Sequence, residues 1–424
     1  MFWAVANLIG LQDEFVLKRF YEPSLLSRCL MTSFDYLTQR QQSLREHKRF
    51  RNLVARQLDG VHVIDPDGRR LLNFGANDYL GLGMEMRGNE GRQDGQSLGN
   101  ADLDSRVTGG SGASALLSGW TTCHERLSNQ IAELEETEAA ILFPTGFAAC
   151  SGAVSALAEA GDLILSDELN HASLIDGCRL SRAECVVYPH RDWQKADHIL
   201  QRRRQEFARV WIVTNTVFGM DGDLAPVDHL QEVAEKHDAS VIADEAHGTG
   251  VLGNDGSGLC DALGVKNRIA IRIGTLSKAV GSQGGFVAAP RVVVDHLVNH
   301  CRSLIYSTSL APAAVTASLA GIGEIRTRPE RRRRVQKLAR HVRSELSIAV
   351  ANDLEASVPI IPVVVGTDPR VIEVSAQLAK SGFYVPAIRP PTVPEGTARL
   401  RISLSAAHET KMVDELLFAI RNLM

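Results

Sequence analysis

The run ASVIADEAH, residues 239–247, breaks off in an acid and an imidazole, and the fold turns on how it is read. Its apolar part has the length of a strand, which leaves Asp244, Glu245 and His247 at that strand's carboxyl end. The arrangement recurs in IAIRIGT, residues 269–275, where Leu276, Ser277 and Lys278 follow. Working outward, AAILF (139–143), DLILSD (162–167), ECVVYP (184–189) and RVWIVTNT (209–216) read as further strands. Helical patterns separate them, beginning with an amphipathic helix over Thr121–Glu136. Regular strand–helix alternation predicts an α/β domain with a mostly parallel central sheet flanked by helices.

That large domain is expected over residues 81–310. Before it, 31–80 form an N-terminal arm: a basic helical segment, then the hairpin HVIDPDGRRLLNF with its Asp-Pro-Asp-Gly turn. Residues 84–112 are rich in Gly, Asn, Asp and Gln and read as a long loop. After it, 311–424 form a smaller α+β domain. One long helical stretch runs from Pro312 to Val350, followed by IIPVVVG, a helix near Ile372–Lys380, FYVPAI, ARLRISLS and a helix from Thr410. The runs Arg331–Arg334 and Arg202–Arg204 lie in predicted helices that spread them around the circumference, so a solvated face is expected. Residues 1–30 read as an upstream extension, with Met31 opening a polar helical pattern.

Composition narrows the function. Lys+Arg number 46 against 50 Asp+Glu, a net charge of −4, too balanced for a protein devoted to a nucleic-acid backbone. No apolar run reaches the ~20 residues of a membrane helix. The short apolar start, Met1–Leu11, lacks a basic segment before it and a cleavage site after it, so neither signal peptide nor anchor is expected. The 7 cysteines are widely spaced with no C-x-x-C pair, which speaks against a disulfide framework or structural zinc and for a reducing cytoplasm.

Enzymes built on such sheets take ligands beyond the carboxyl ends of the strands. There this chain places Lys278, Asp244 and His247, then Thr145, Gly146 and Phe147 after AAILF, and His171 beyond DLILSD. The set suits pyridoxal phosphate. That cofactor needs an amine for an imine, an acid to keep its ring nitrogen protonated, and helix-end N–H groups and hydroxyls for its phosphate. Lys278, Asp244, and Gly146, Phe147 and Thr275 fill those roles; His247 reaches the ring hydroxyl and His171 stacks on the ring. Singly, each has an ordinary alternative: a strand-end cap for Asp244, a solvated amine for Lys278, a core or surface histidine for His171, and turns for Gly281, Gly284 and Gly285. The joint order and spacing carry the signal.

From about residue 45 onward the chain resembles the α-oxoamine synthase family of fold-type I pyridoxal-phosphate enzymes. The matching stretches are LNFGANDYLGLG, TGGSGASALLSG, FPTGFAAC, SDELNHASLIDG, VFGMDGDLAPV, IADEAHGTGVLG, GTLSKAVGSQGGFV, IYSTSLAP and AIRPPTVPEGTARLRISLSAAH. The resemblance implies a fold-type I transferase with Lys278 as the Schiff-base lysine and proton carrier. Asp244 would then meet the pyridinium nitrogen, His247 the ring hydroxyl and His171 the ring face. Gly146, Phe147 and Thr275 would hold phosphate, Thr275 serving the neighbouring subunit's site. It also implies Arg401, with Asn77, as the clamp for the amino-acid carboxylate, Arg51 facing the acyl thioester, Thr392 lining the acyl channel and Arg389 near the acyl chain's distal carboxylate. No metal is implied.

AIRPPTVPEGTARLR is most similar to the branch that joins L-alanine to a pimeloyl thioester, carried by coenzyme A or acyl carrier protein, in biotin synthesis. The alternatives are a family member using glycine and a short acyl-CoA, and a catalytically silent partner subunit, whose usual mark is a missing lysine that this chain has at Lys278. A homodimer with shared sites is implied. The chain departs from the family at Asn215, where glutamate is usual, and at Gly219, where serine is usual; a water would replace the serine hydroxyl. The loop at 84–107 also departs from the usual helical segment.

Overall fold

A computed structural model describes residues 23–88 and 109–424. The expected extension over residues 1–30 falls mainly outside them, as does most of the loop expected over 84–112. Seven strands form the central sheet: β4 (Ala139–Phe143), β5 (Leu163–Asp167), β6 (Glu184–Tyr188), β7 (Val210–Asn215), β8 (Ser240–Asp244), β9 (Ile271–Thr275) and β10 (Gly285–Ala289). Their order is β4-β10-β9-β8-β7-β5-β6, with β10 antiparallel to both neighbours and the other pairs parallel. The six strands read from the sequence are all present.

Two cores explain why the strands are apolar on both faces. In β4, Ala140 and Leu142 join one cluster and Ala139, Ile141 and Phe143 the other. Leu163 and Leu165 part from Ile164 in the same way, as the two-residue period of a pleated strand demands. The second cluster is closed by the helix Gly146–Leu157, whose small residues let it lie near the sheet.

β10 is a correction to the reading of Gly285 as a turn. GFVAA is short and follows a glycine cluster, so it lacks a strand's usual signature. Its five residues are all buried between β4 and β9.

Before the sheet, β1 (Gln57–Asp59), β2 (His62–Ile64) and β3 (Arg70–Asn73) pair antiparallel, so the expected hairpin is present with one strand more. The helix preceding them ends at Glu46, and residues 49–56 form no regular element. β12 (Phe383–Tyr384), from the far end of the chain, adds parallel to β3. A third, antiparallel sheet holds β11 (Ile360–Gly366), β14 (Ala398–Ser403) and β13 (Ala387–Ile388).

Three further expectations change. Residues Leu82–Gly88, the start of the supposed loop, form a helix whose opening is tied by Met84 N–H to Asp78 Oδ2 at 2.8 Å. The stretch from Pro312 is two helices, Pro312–Thr327 and Pro329–Glu345. Pro329 drives Arg328 out of helical geometry, to φ −123° and ψ 68°. The arginine run in the second helix is a solvated face only in part: Arg333 and Arg334 are exposed, but Arg332 is not. Arg331 pairs with Glu85 at 2.6 Å, Arg332 is 5% exposed and donates to Asn254 O, and Arg334 donates to Ala406 O and His408 O at 2.7 Å each. Arg204 likewise donates to the carbonyls of His237 and Phe207, whereas Arg202 is exposed.

Candidate active site

The rim formed by the ends of β4, β8 and β9 is shaped by β10. Gly285 lies opposite both Phe143 and Thr275. A Cβ there would stand 2.6 Å from Thr145 O and 2.7 Å from Gly146 Cα, so only glycine lets the turn after β4 pack this close. Thr145 caps the next helix by accepting from Ala148 N–H at 3.0 Å, which leaves the N–H groups of Gly146 and Phe147 for a ligand. Beside them Thr275 Oγ1 meets Ser277 Oγ at 2.8 Å, and a Cβ on Gly146 would be 3.0 Å from Thr275 Oγ1. Thr275 thus sits against Gly146 of its own chain.

Asp244 ends β8, 2% exposed, and every polar contact it makes is with a donor. Asn215 Nδ2 reaches Oδ2 at 2.7 Å, the Cys150 thiol the same oxygen at 3.4 Å, and Ala246 N–H reaches Oδ1 at 2.9 Å. Lys278 follows β9. Burial lowers the pKa of its amine and the field of Asp244 opposes that effect. No carboxylate among the described residues lies in salt-bridge contact with it, so the amine is left free to react.

His247 is 8% exposed, and burial, then the positive fields of Lys278, Arg401 and His171, push its pKa far below the ordinary imidazole value. Its Nδ1 lies 2.7 Å from the Tyr79 hydroxyl, which is 3.2 Å from Asn77 Oδ1. Its Nε2 faces Gly219: a Cβ there would lie 2.4 Å from that nitrogen. A side chain at position 219 would therefore begin against the imidazole.

Arg401 is 5% exposed on β14. Its Nε donates to Gly219 O at 2.6 Å, and Nη1 to Asn77 Oδ1 at 3.0 Å and Ser403 Oγ at 2.6 Å. All of these partners are neutral. Among the described residues no carboxylate contacts this guanidinium, so its charge is available to a bound carboxylate. His171 caps the helix Ala172–Leu180, its Nδ1 accepting from Ser173 N–H at 3.2 Å, and its ring stands edge-on to Phe147 at 6.3 Å between centroids.

Lys278, Asp244, His247, His171, Gly146, Phe147, Thr275, Asn77 and Arg401 are thus tied into one region by hydrogen bonds and strand register. Arg51, Arg389 and Thr392 gather elsewhere, around a cavity of about 180 Å³. There Arg51 Nη2 donates to Thr392 Oγ1 at 3.0 Å, and Arg389 donates to Lys48 O. β13, which precedes Arg389, pairs with β14, which carries Arg401.

Tyr79 and Ser277 were not singled out from the sequence. Both stand in quoted motifs, LNFGANDYLGLG and GTLSK, so a signal was present. The donor set fits pyridoxal phosphate: free helix N–H groups beside hydroxyls, a carboxylate among donors, and a half-buried amine that meets no carboxylate among the described residues.

A model of the aminotransferase class I and II family matches residues 69–420. An 8-amino-7-oxononanoate synthase of Lysinibacillus sphaericus is 40% identical over 357 residues, covering 84% of this chain and 90% of that protein. One from Citrifermentans bemidjiense is 42% identical over 379 residues, covering 88% and 94%. Among solved structures, serine palmitoyltransferase from S. paucimobilis with bound PLP–myriocin aldimine superposes with a TM-score of 0.81 at 27% identity, over 93% of this chain and 98% of that one.

Proposed function

The chain belongs to the class I and II aminotransferase family and, within it, to the α-oxoamine synthases, and from that premise we propose that it condenses L-alanine with a pimeloyl thioester, releasing CO2 and free thiol, to give 8-amino-7-oxononanoate for biotin synthesis. The observation that carries this reading is the buried Arg401, which meets no carboxylate among the described residues, in the same region as Lys278, whose amine meets none either, in a chain about 40% identical to proteins named for that product. The cofactor is pyridoxal phosphate. When bound, it supplies an aldehyde for amine capture and a cationic ring that stabilises negative charge at the substrate's α-carbon.

The chain's own residues supply the rest. Arg401, steadied by Asn77 and Ser403, clamps the alanine carboxylate. Lys278 would take the α-proton, and burial, by lowering the pKa of its amine, favours the free-base form that accepts it. Asp244, with a donor on each carboxylate oxygen, would face the ring nitrogen. His247, neutral and engaged at Nδ1 by Tyr79, offers Nε2 to the ring hydroxyl. His171 covers one face of the ring. Gly146, Phe147, Thr275 and Ser277 hold the phosphate dianion. Arg51 and Thr392 receive the acyl thioester, and Arg389 the distal carboxylate of the acyl chain. Asp244 and His247 are themselves buried, so the groups that would meet the ring are shielded from bulk water.

We read the working form as a cytoplasmic homodimer with sites built from both subunits. The exposed Leu117 (81%) and Tyr306 (74%), close to the Ser114–Thr308 bridge, support an interface there. The unpaired cysteines among the described residues support a reducing compartment. No helix among the described residues is long and apolar enough to cross a membrane.

The test is product identification by mass spectrometry. L-alanine would be offered with pimeloyl-CoA and with pimeloyl-acyl carrier protein, beside glycine with acetyl-CoA and serine with a long-chain acyl-CoA. 8-Amino-7-oxononanoate from the first pairs alone is expected; turnover only in the other arms would replace this reading.

A further inference from the structure

We propose that Asn215 is a positioning residue for the cofactor ring, acting through Asp244: its amide holds the carboxylate at the orientation in which it meets the ring nitrogen and couples that carboxylate to the segment carrying His171. The inference rests on the assignment of this site to pyridoxal phosphate and goes beyond it.

Asn215 ends β7 directly opposite Asp244 in the sheet register and is 3% exposed. Both ends of its side chain are engaged. Nδ2 donates to Asp244 Oδ2 at 2.7 Å, and Oδ1 accepts the backbone N–H of His171 at 2.7 Å. The backbone N–H of Asn215 donates to Asn170 Oδ1 at 2.9 Å, while Asn170 Nδ2 donates to Val213 O at 2.8 Å. The orientation of the amide follows from these partners. An oxygen must face the N–H of His171, so a nitrogen must face Asp244.

Two consequences follow for the ring. Asp244 Oδ1 is held by Ala246 N–H and Oδ2 by Asn215, so the carboxylate plane is fixed by a donor on each oxygen. The same amide ties the segment bearing His171 to the residue beneath the ring's nitrogen, so that the stacking group and the acid move together. A carboxylate at position 215 would keep the acceptor for His171 N–H but set an oxygen against Asp244 Oδ2, replacing a donor by a like charge.

The test compares pyridoxal phosphate with its 1-deaza analogue, whose ring carries C–H in place of the nitrogen, in binding to apoenzyme. Asn215→Asp is nearly isosteric and keeps the contact to His171. It should weaken pyridoxal phosphate about tenfold or more, as loss of a hydrogen bond to a charged group does, and weaken the analogue less than about threefold. Asn215→Ser, which removes both contacts with less strain, should show the same selectivity and guards against a misfolded Asp variant. Equal losses for both ligands would make the role merely structural and overturn the proposal. So would affinities within about twofold of the unsubstituted protein. If the unsubstituted protein itself failed to bind pyridoxal phosphate, the cofactor assignment would fall, a separate result.

Discussion

Gly219 and His247 occupy one space: the point 2.4 Å from His247 Nε2 is where a side chain at position 219 would begin. The imidazole cannot retreat freely, because its Nδ1 lies 2.7 Å from the Tyr79 hydroxyl. The carbonyl of Gly219 meanwhile accepts from Arg401 Nε at 2.6 Å. One glycine therefore touches both the ring-facing histidine and the substrate-facing arginine. Gly219→Ser should displace His247 from Tyr79, lower kcat/KM for the alanine reaction about tenfold, and cost about 1–3 kcal/mol of stability through overpacking. Steady-state kinetics with a denaturation curve reads both; unchanged values would show that His247 has another seat.

Removing the guanidinium at 401 separates substrate binding from cofactor binding. Arg401→Leu should raise KM for L-alanine roughly 100-fold while the dissociation constant of pyridoxal phosphate stays within about twofold. Arg401→Lys should recover part of the loss, since a point charge cannot reproduce the fork. A fall in cofactor affinity equal to the rise in KM would put Arg401 in a structural role instead.

For Lys278 the expected result is sharper. Lys278→Ala should still take up pyridoxal phosphate but show no Schiff-base absorbance, and turnover should fall by at least about a thousandfold. Retained turnover would remove this lysine from the chemistry.

A pH dependence of stability resides outside the site. His190 lies between Asp167 Oδ1 at 2.9 Å and Asp223 Oδ2 at 2.7 Å, with Arg191 also facing Asp223 and Glu355. Burial works against its charge, but the two carboxylates outweigh burial and raise its pKa to about 9. Because the folded value stands above the unfolded one, the stabilisation is complete below about pH 6.5 and is lost as pH rises through about 9. Its size is on the order of 2–3 kcal/mol. Urea midpoints followed upward from neutral pH should fall more steeply for the unsubstituted protein than for His190→Gln, and parallel curves would count against the pairing.

The chemistry of the rim was legible in the linear chain because strand ends announce themselves. An apolar run of fixed length stops, and the next few residues must lie at its carboxyl end. Asp244, His247, Thr275, Lys278 and Gly146 are each within four residues of such a stop. What was not legible has a common cause. β10 is short and glycine-led, and only its neighbours make it a strand. The grip of Arg332 and Arg334 depends on carbonyls over 70 residues away.

The sequence by itself determined which groups stand at the ends of the strands, since local period and chain continuity suffice for that. Only the tertiary structure decided how they are held. Tyr79 meets His247 across 168 residues, Arg401 meets Asn77 across 324, and Asn215 faces Asp244 because β7 and β8 pair in one register and not another. A hydrogen bond is short and directional, so its partner is chosen by sheet register and packing, which no local pattern encodes.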